Sequence, residues 1–253
     1  MLKTFDPLLE SMAAAQPDFT PHRYGLVAAC DGGLIEVSGL SVPVGALCRV
    51  VHGRGEPLAE VIGFRNGRTL MMLLGDTVML RPGSRVRPEG RPGMLHVGEA
   101  FLGRAVDGEG HPIDGLGPIH SRHEWPAGGI RTTALDRSPV RQTFDTGVRA
   151  LNALTTFGVG QRIGIMAGSG VGKSVLLDMI ATGADAEIVV VGLIGERARE
   201  VSDFVERHMV GEKRARTAVV AVPADHAPNL RLRGAMLATS IAEHFRAEGR
   251  KVL

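Results

Sequence analysis

A glycine-rich run carries the strongest chemical signal in the sequence: Ala167-Gly168-Ser169-Gly170-Val171-Gly172-Lys173-Ser174. Its spacing fits the Walker A pattern, with Ala167 in the opening position where the strict pattern has glycine. Glycines let the backbone curl so that successive N–H groups point at phosphate oxygens, and a following helix N-terminus adds partial positive charge. In such a loop Lys173 would reach the β and γ phosphates, and the Ser174 hydroxyl would bind magnesium. The run predicts a nucleotide-binding loop, because it lies between a strand-like and a helix-like apolar segment.

A second group of charged residues follows the apolar run "VVVGLIG" and consists of Glu196, Arg197, Arg199 and Glu200. Charges at the C-terminal end of a parallel strand lie at the edge of the sheet where ligands bind. Two interpretations stay open from the residues alone. Either Glu196 polarises an attacking water, or the group is the charged start of a helix in which Glu200 pairs with a neighbouring arginine.

Other polar clusters favour ordinary structural roles. The spacing of His120, His123 and Glu124 could bind a metal, but a linker with no further ligands favours solvated histidines. The net charge is only +2, so the basic stretch "RPGSRVRPEGRPG" favours a solvated linker over a nucleic-acid surface. Cys30 and Cys48 lie in apolar runs without a CxxC pair, which predicts two buried free thiols.

The elements that must position the glycine-rich run alternate from Arg141 onward. Helical periods in "TGVRALNALTTFG", "KSVLLDMIATGA", "REVSDFVERHMV" and "NLRLRGAMLATSIAEHFRAEG" alternate with the strand-like runs "QRIGIMA", "EIVVVGLIG" and "RTAVVAVP". The last residues, "KVL", are typical of the start of another strand. Such alternation predicts an α/β fold with right-handed crossovers and a parallel sheet covered on both faces.

The N-terminal part has a different texture. Short apolar runs from Tyr24 to about Pro88 are separated by turn signals such as Asp31-Gly32-Gly33 and Asn66-Gly67, which favour tight hairpins. This predicts a compact antiparallel barrel or small sandwich. We therefore expect a docking segment at 1–20, a β-barrel domain at 21–90, a connector at 91–140 and a P-loop domain at 141–253. The N-terminus is a poor signal peptide and no window is apolar enough to span a bilayer, which predicts a soluble or at most peripheral protein.

The motifs together resemble those of a known family. The run "AGSGVGKSVLL", followed by "VVVGLIGERAREV" and preceded by "TGVRALNALTTFGVGQRIGI", resembles flagellar protein-export ATPases. These belong to the type III secretion ATPases and are similar to the catalytic subunit of rotary ATP synthases. The resemblance covers roughly residues 24–253, including "LGRAVDGEGHPIDGLGPI" and "VPADHAPNLRLRGAMLATSIAEHFRAEGRKVL". The form of the loop resembles the flagellar branch more than the injectisome branch.

The resemblance implies a small N-terminal β-barrel beside a RecA-like domain that hydrolyses ATP with Mg²⁺. Lys173 would stabilise transferred charge, Glu196 would activate water, and Arg197 would fix a phosphate or the neighbouring subunit. Ser174 would coordinate Mg²⁺, and Glu200 would reach the hydrated metal. Ala198 stands where the family commonly has Gly or Thr. The residues implied to bind the triphosphate are Ala167, Gly168, Ser169, Gly170, Val171, Gly172, Lys173 and Ser174.

The resemblance also implies partners and a location. It implies a homo-hexamer with sites between subunits, regulatory and export-gate proteins of the flagellar apparatus, export cargo with chaperones, and no nucleic acid. The expected location is the cytoplasm, peripheral at the inner face of the membrane. In the family the "KVL" strand leads to the Walker B aspartate, so we expect these 253 residues to be a fragment, incomplete at its C-terminus, that hydrolyses ATP poorly by itself.

Three other functions compete with this interpretation. A non-catalytic nucleotide-binding assembly module fits a chain without the Walker B aspartate, and an injectisome secretion ATPase would share the same motifs. A transcription terminator helicase would need a barrel with exposed aromatic residues for base stacking. The predicted barrel has Tyr24, Phe64 and little else of that kind, which disfavours the helicase.

Overall fold

The computed structural model describes residues 23–51, 56–74, 80–135, 138–168 and 170–253. The docking segment predicted at 1–20 lies outside the described residues, as does Ser169 of the glycine-rich run.

Six antiparallel strands form a barrel: β1 Gly25–Asp31, β2 Leu34–Ser38, β3 Leu47–Val51, β4 Leu58–Arg65, β5 Arg68–Leu73 and β6 Arg85–Glu89. The barrel closes in the spatial order β1-β2-β5-β4-β3-β6. Closure leaves no strand edge unpaired, which removes a surface prone to aggregation. The predicted Asn66-Gly67 turn joins β4 to β5, and both residues adopt the left-handed conformation, with φ of 48° and 72°. The barrel alternative is therefore confirmed over the sandwich.

The two cysteines have different environments in this barrel. Cys48 lies in the core beside Val50 and Val86, and burial raises the pKa of its thiol to about 11. The prediction that Cys30 is also buried is wrong, because its side chain is exposed. A bulge between Val27 and Ala29 shifts the register of β1, so the end of the strand no longer alternates between core and solvent.

A parallel sheet of three strands, β8 Ala105–Val106, β12 Val189–Ile194 and β13 Thr217–Val222, forms the centre of the second part. The spatial order is β12-β13-β8. Its central strand β13 is buried along its whole length. Val201 and Phe204 cover one face of the sheet, and Leu237, Ile241 and Phe245 cover the other. The predicted α/β fold with two covered faces is confirmed. The helices are α1 Arg149–Leu154, α2 Lys173–Gly183, α3 Ala198–His208, α4 Gly211–Arg214 and α5 Pro228–Ala247.

The prediction that "QRIGIMA" forms a buried strand is wrong. Residues 161–168 have no regular structure, and the side chains of Ile163 and Met166 are 41% and 96% exposed. A parallel strand needs a hydrogen-bonded neighbour. The facing edge of β12 pairs only with the last residues of the chain, through an Ile188–Val252 bridge and a hydrogen bond from Val190 N–H to the Leu253 carbonyl. The 161–168 run therefore meets no strand among the described residues.

The segment predicted as a connector, 91–140, contributes to the packing of the second part. It supplies β8, which pairs with β13, and an antiparallel pair formed by β7 (Met94–Val97) and β9 (His123–Pro126) that packs against α5. Trp125 donates a hydrogen bond from Nε1 to Glu243 of α5 at 3.0 Å. The domain boundaries themselves stay a prediction. The segment 91–140 does not only connect the barrel to the α/β part, because its strands pack within the α/β part. A further short pair joins β10 (Thr143–Phe144) to β11 (Phe157–Gly158).

Candidate functional site

The glycine-rich run ends in the first turn of α2. Gly170 and Gly172 have φ of 77° and 96°, a region that strains any residue with a Cβ atom. Gly172 is the N-cap of α2, and the first helical hydrogen bond runs from Leu176 N–H to its carbonyl. The N–H groups of the first helical residues, Lys173 among them, are thus without helical partners. This end of α2 can donate hydrogen bonds to an anion.

The direction of α2 is set at its middle and at its C-terminal end. In the middle, Asp178 accepts a hydrogen bond from Arg207 at 3.3 Å and contacts Nε2 of His208, and both partners belong to α3. At the end, a Cβ atom on Gly147 would overlap the backbone of Gly183. The close approach of these two glycines holds the helix against the segment before α1.

Glu196 lies opposite Lys173 because the backbone on both sides of it is anchored. Gly195 N–H donates to the Val222 carbonyl at 2.8 Å, and Ala224 N–H donates to the Glu196 carbonyl at 3.1 Å. These bonds tie the end of β12 to the end of β13. The Glu196 carboxylate then lies 3.5 Å from Nζ of Lys173, with both side chains about one third exposed.

A cavity of about 420 Å³ contains most of the predicted residues. It brings the glycine-rich run together with Glu196 and Glu200, as the motifs predicted. Val175 also lines the cavity. The motif ends at Ser174 and so does not include Val175, which reaches the cavity from the first turn of α2. The lining residues are Ala167, Gly168, Gly170, Gly172, Lys173, Ser174, Val175, Glu196 and Glu200.

Of the predicted residues that the structure describes, two do not line this cavity. Val171 is exposed on the outside of the loop. Arg197 is 85% exposed and forms an ion pair with Glu200 at 3.8 Å. Glu196 thus faces Lys173, whereas Glu200 pairs with Arg197 at the start of α3, as the second interpretation predicted. The role of Glu196 in polarising water stays a prediction.

The oxygen atoms around this cavity suit a small hard cation. Mg²⁺ prefers oxygen ligands, and it commonly takes one or two from the protein and the rest from phosphates and water. The Ser174 hydroxyl and the carboxylates of Glu196 and Glu200 line the cavity, so the donor set fits Mg²⁺ held together with a nucleotide. Glu124, from the histidine-rich segment, is instead paired with Arg91 at 3.0 Å. Within the described ranges, no three His, Cys, Asp or Glu side chains form a group able to hold a metal ion.

The parallel sheet, the phosphate loop before α2 and the acid at the end of β12 together define a P-loop nucleotide-binding protein. Residues 147–253 match the ATP synthase alpha/beta family, nucleotide-binding domain. This part of the chain is similar to that family, and most of the chain is similar to flagellum-specific ATP synthases.

Three such relatives show how far the similarity extends. The flagellum-specific ATP synthase of Salmonella typhimurium is 45% identical over 246 residues, which cover 92% of this chain and 53% of the relative. That of Pseudomonas aeruginosa is 43% identical, covering 88% and 50% of the two chains. That of Treponema pallidum is 42% identical, covering 97% and 56%. The chain spans about half the length of the curated relatives it matches.

Solved structures show the same fold. The assembled ATPase EscN from the type III secretion system of enteropathogenic E. coli matches 90% of this chain at 34% identity, with a TM-score of 0.79, and 55% of EscN is covered. EscN in complex with its central stalk EscO gives a TM-score of 0.81 at the same identity, covering 90% of this chain and 56% of EscN. None of the helices in the described part of the chain has the length and apolar character needed to cross a membrane.

Proposed function

We propose that this chain provides the nucleotide-binding part of an ATPase that energises or gates the export of flagellar proteins through a type III secretion apparatus. The observation that carries the proposal is the 3.5 Å approach of Glu196 to Lys173 inside the cavity formed by the glycine-rich run. A phosphate-binding cation and an acid able to orient water thus face the same space. The homology to flagellum-specific ATP synthases supports the choice of process.

Each side chain has a role in this proposal. The backbone of 167–174 binds the triphosphate, and Lys173 moves from Glu196 to the β and γ phosphates when nucleotide enters. Glu196 is then free to accept a hydrogen bond from water and to orient it for in-line attack. Ser174 and, through water, Glu200 would hold Mg²⁺, which would neutralise phosphate charge when bound. Because Arg197 is exposed, we propose that its side chain contacts a neighbouring subunit.

The proposal includes assembly with other proteins. EscN, which shares this fold, has been solved in an assembled state and in complex with a central stalk protein. By analogy, this chain works in a homo-hexamer, contacts flagellar regulatory, gate and cargo proteins, and acts in the cytoplasm at the inner face of the membrane. An arginine inserted by a neighbouring subunit would increase the rate of ATP hydrolysis by a factor on the order of 10³ to 10⁵.

Lys173→Ala tests the nucleotide site directly. We expect the variant to bind a fluorescent ATP analogue at least about tenfold more weakly, because a charged contact to phosphate is lost. Lys213→Ala is the matched control, since Lys213 is exposed on α4 and away from the cavity. Equal affinity of both variants and the wild-type chain would remove the basis of the proposal.

Two measurements distinguish the proposed export ATPase from its alternatives: phosphate release by the assembled protein, and flagellar export in the cell. A non-catalytic assembly module would bind ATP but release no phosphate, and Glu196→Gln would then change nothing in a phosphate-release assay of the assembled protein. In the cell, replacing the gene copy with Lys173→Ala should stop export of flagellin and abolish motility. Loss of a virulence effector with normal motility would favour the injectisome function instead.

A further inference from the structure

A second cavity, of about 630 Å³, lies where the barrel meets the α/β part. The barrel contributes Leu47, Arg49 and Leu58 to its wall, and α5 contributes Arg233 and Leu237. None of its lining residues belongs to the glycine-rich run or to the Glu196 group. Its volume falls in the range of small-molecule sites, about 300 to 1,000 Å³.

The acids of this cavity already have cationic partners. Glu89 is paired with Arg49 at 3.1 Å, and Glu124 is paired with Arg91 at 3.0 Å. The third acid, Glu109, lies 3.3 Å from Nδ1 of His111. The acids therefore leave the remaining cations of the wall without a contacting counter-charge.

Arg233 is the most unusual of these cations. Its Nε atom is buried without a hydrogen bond, and its guanidinium forms no ion pair with the described residues. Burial lowers the pKa of Arg233, while the charges of Glu60 and Glu109 oppose that effect. An arginine stays protonated in proteins, so a partly buried guanidinium whose Nε has no acceptor favours a ligand that supplies one. An anion would supply such an acceptor.

The rest of the wall indicates what kind of anion fits. Arg122 stands at the exposed side of the cavity, and it also lacks an ion pair with the described residues. Two guanidinium groups present more donors than one carboxylate accepts, whereas a terminal phosphate offers three oxygens. Apolar side chains complete the wall, among them Leu95, Phe101 and Ile119. These favour a ligand with an apolar or aromatic body.

We infer that this cavity is a binding site for a small phosphate monoester, with its phosphate on Arg233 and Arg122 and its apolar part against Phe101 and Ile119. Such a ligand contacts both the barrel and α5. Because α5 follows directly on the turn where Ala224 holds the Glu196 backbone, the site has a short structural connection to the nucleotide loop.

The test uses the intact 253-residue chain carrying Lys173→Ala, which removes phosphate binding at the glycine-rich loop. Phenyl phosphate, inorganic phosphate and benzoate are titrated separately by calorimetry. We expect phenyl phosphate to bind at least about tenfold more tightly than the other two, since only it combines both features. Arg233→Met should weaken its binding at least about tenfold, because the charge-assisted hydrogen bonds are lost. Arg246→Met, on an exposed position of the same helix, is the matched control and should bind as tightly as its parent.

The contrary outcomes are distinct. No heat from phenyl phosphate at about 1 mM, or equal affinity in the Arg233→Met and Arg246→Met proteins, would overturn the inference. Tighter binding of benzoate would overturn the assignment to phosphate. If Arg233→Met does not fold, Arg122→Gln at the exposed side gives the same comparison. Phenyl phosphate that binds the wild-type chain but not Lys173→Ala would place it in the nucleotide loop, which sinks this inference and leaves the proposed function intact.

Discussion

At the level of single residues, the Glu196 carboxylate occupies a cation that the motif assigns to a phosphate anion. The carboxylate is the partner of Lys173, a residue whose motif assigns it to phosphate. The ion pair satisfies the lysine without nucleotide, and the two groups must separate when a triphosphate enters. The carboxylate then lies near like charge, which weakens nucleotide binding while it remains ionised.

Glu196→Gln should therefore tighten nucleotide binding while it blocks turnover. Removing one negative charge a few ångströms from the phosphates is worth roughly 1 kcal/mol, about fivefold in affinity. Calorimetry with ADP on the wild-type and variant chains measures the difference, and it should shrink at high salt. Glu206→Gln, exposed on α3 and outside the cavity, is the control. Weaker binding by Glu196→Gln would mean that the carboxylate holds the nucleotide instead of orienting water.

Between helices, the contact of α2 with α3 positions the phosphate loop. Asp178 of α2 meets Arg207 and His208 of α3, and the His208 ring stacks on Phe204 with ring centres 4.1 Å apart. Burial lowers the pKa of His208, and the Asp178 charge only partly offsets this effect. The folded chain thus holds this imidazole neutral at pH values where an unfolded chain begins to protonate it.

This buried histidine predicts a pH-dependent stability. Below the ordinary histidine pKa of 6.5, the His208 imidazole binds a proton in the unfolded chain but stays neutral in the folded chain. The free energy of unfolding should therefore fall as the pH decreases from 7 to 5. The slope contributed by one proton cannot exceed about 1.4 kcal/mol per pH unit. Urea denaturation of His208→Gln should show a shallower dependence than the wild-type chain. His120→Gln, at an exposed position, should follow the wild type. Parallel curves for all three proteins would contradict the assignment.

For the whole molecule, the barrel and the α/β part have separate cores. The barrel core includes Ile35, Val50 and Met71, and the α/β core includes Val220 and Ile241. A hydrogen bond from Asn229 of α5 to the Leu73 carbonyl at 2.7 Å connects the two. Closure of the barrel pairs its six strands with one another and with no strand of the α/β part.

We therefore expect urea to unfold the chain in two steps. The single tryptophan, Trp125, packs beside His244 in the α/β part, so its emission should follow one step only. Far-UV circular dichroism should record both. Coincident transitions from the two probes would show one cooperative unit and contradict this expectation. A phosphate monoester bound between the two parts would bring the steps closer together.

Local patterns in the sequence were enough to predict much of this molecule. The Asn66-Gly67 hairpin, the glycine-rich loop before α2 and the alternation of strands and helices after Arg141 depend on neighbours in the chain. Backbone freedom at glycine and hydrophobic periodicity act over a few residues, so they can be interpreted without tertiary structure. For the same reason the position of Glu196 at the end of a strand was predictable.

Other features were decided only by the tertiary structure, because they depend on contacts between residues far apart in the sequence. Residues 161–168 have strand-like periodicity but meet no strand in the described part of the chain. Two residues of the predicted connector, Ala105 and Val106, join the sheet because β13 lies beside them. Cys30 is exposed because a bulge changes the register of β1. Arg233 faces a cavity formed by the barrel and α5, which no local pattern reveals. Sequence periodicity determines which elements the chain can form; pairing and burial between distant segments determine which of them form and where their charges lie.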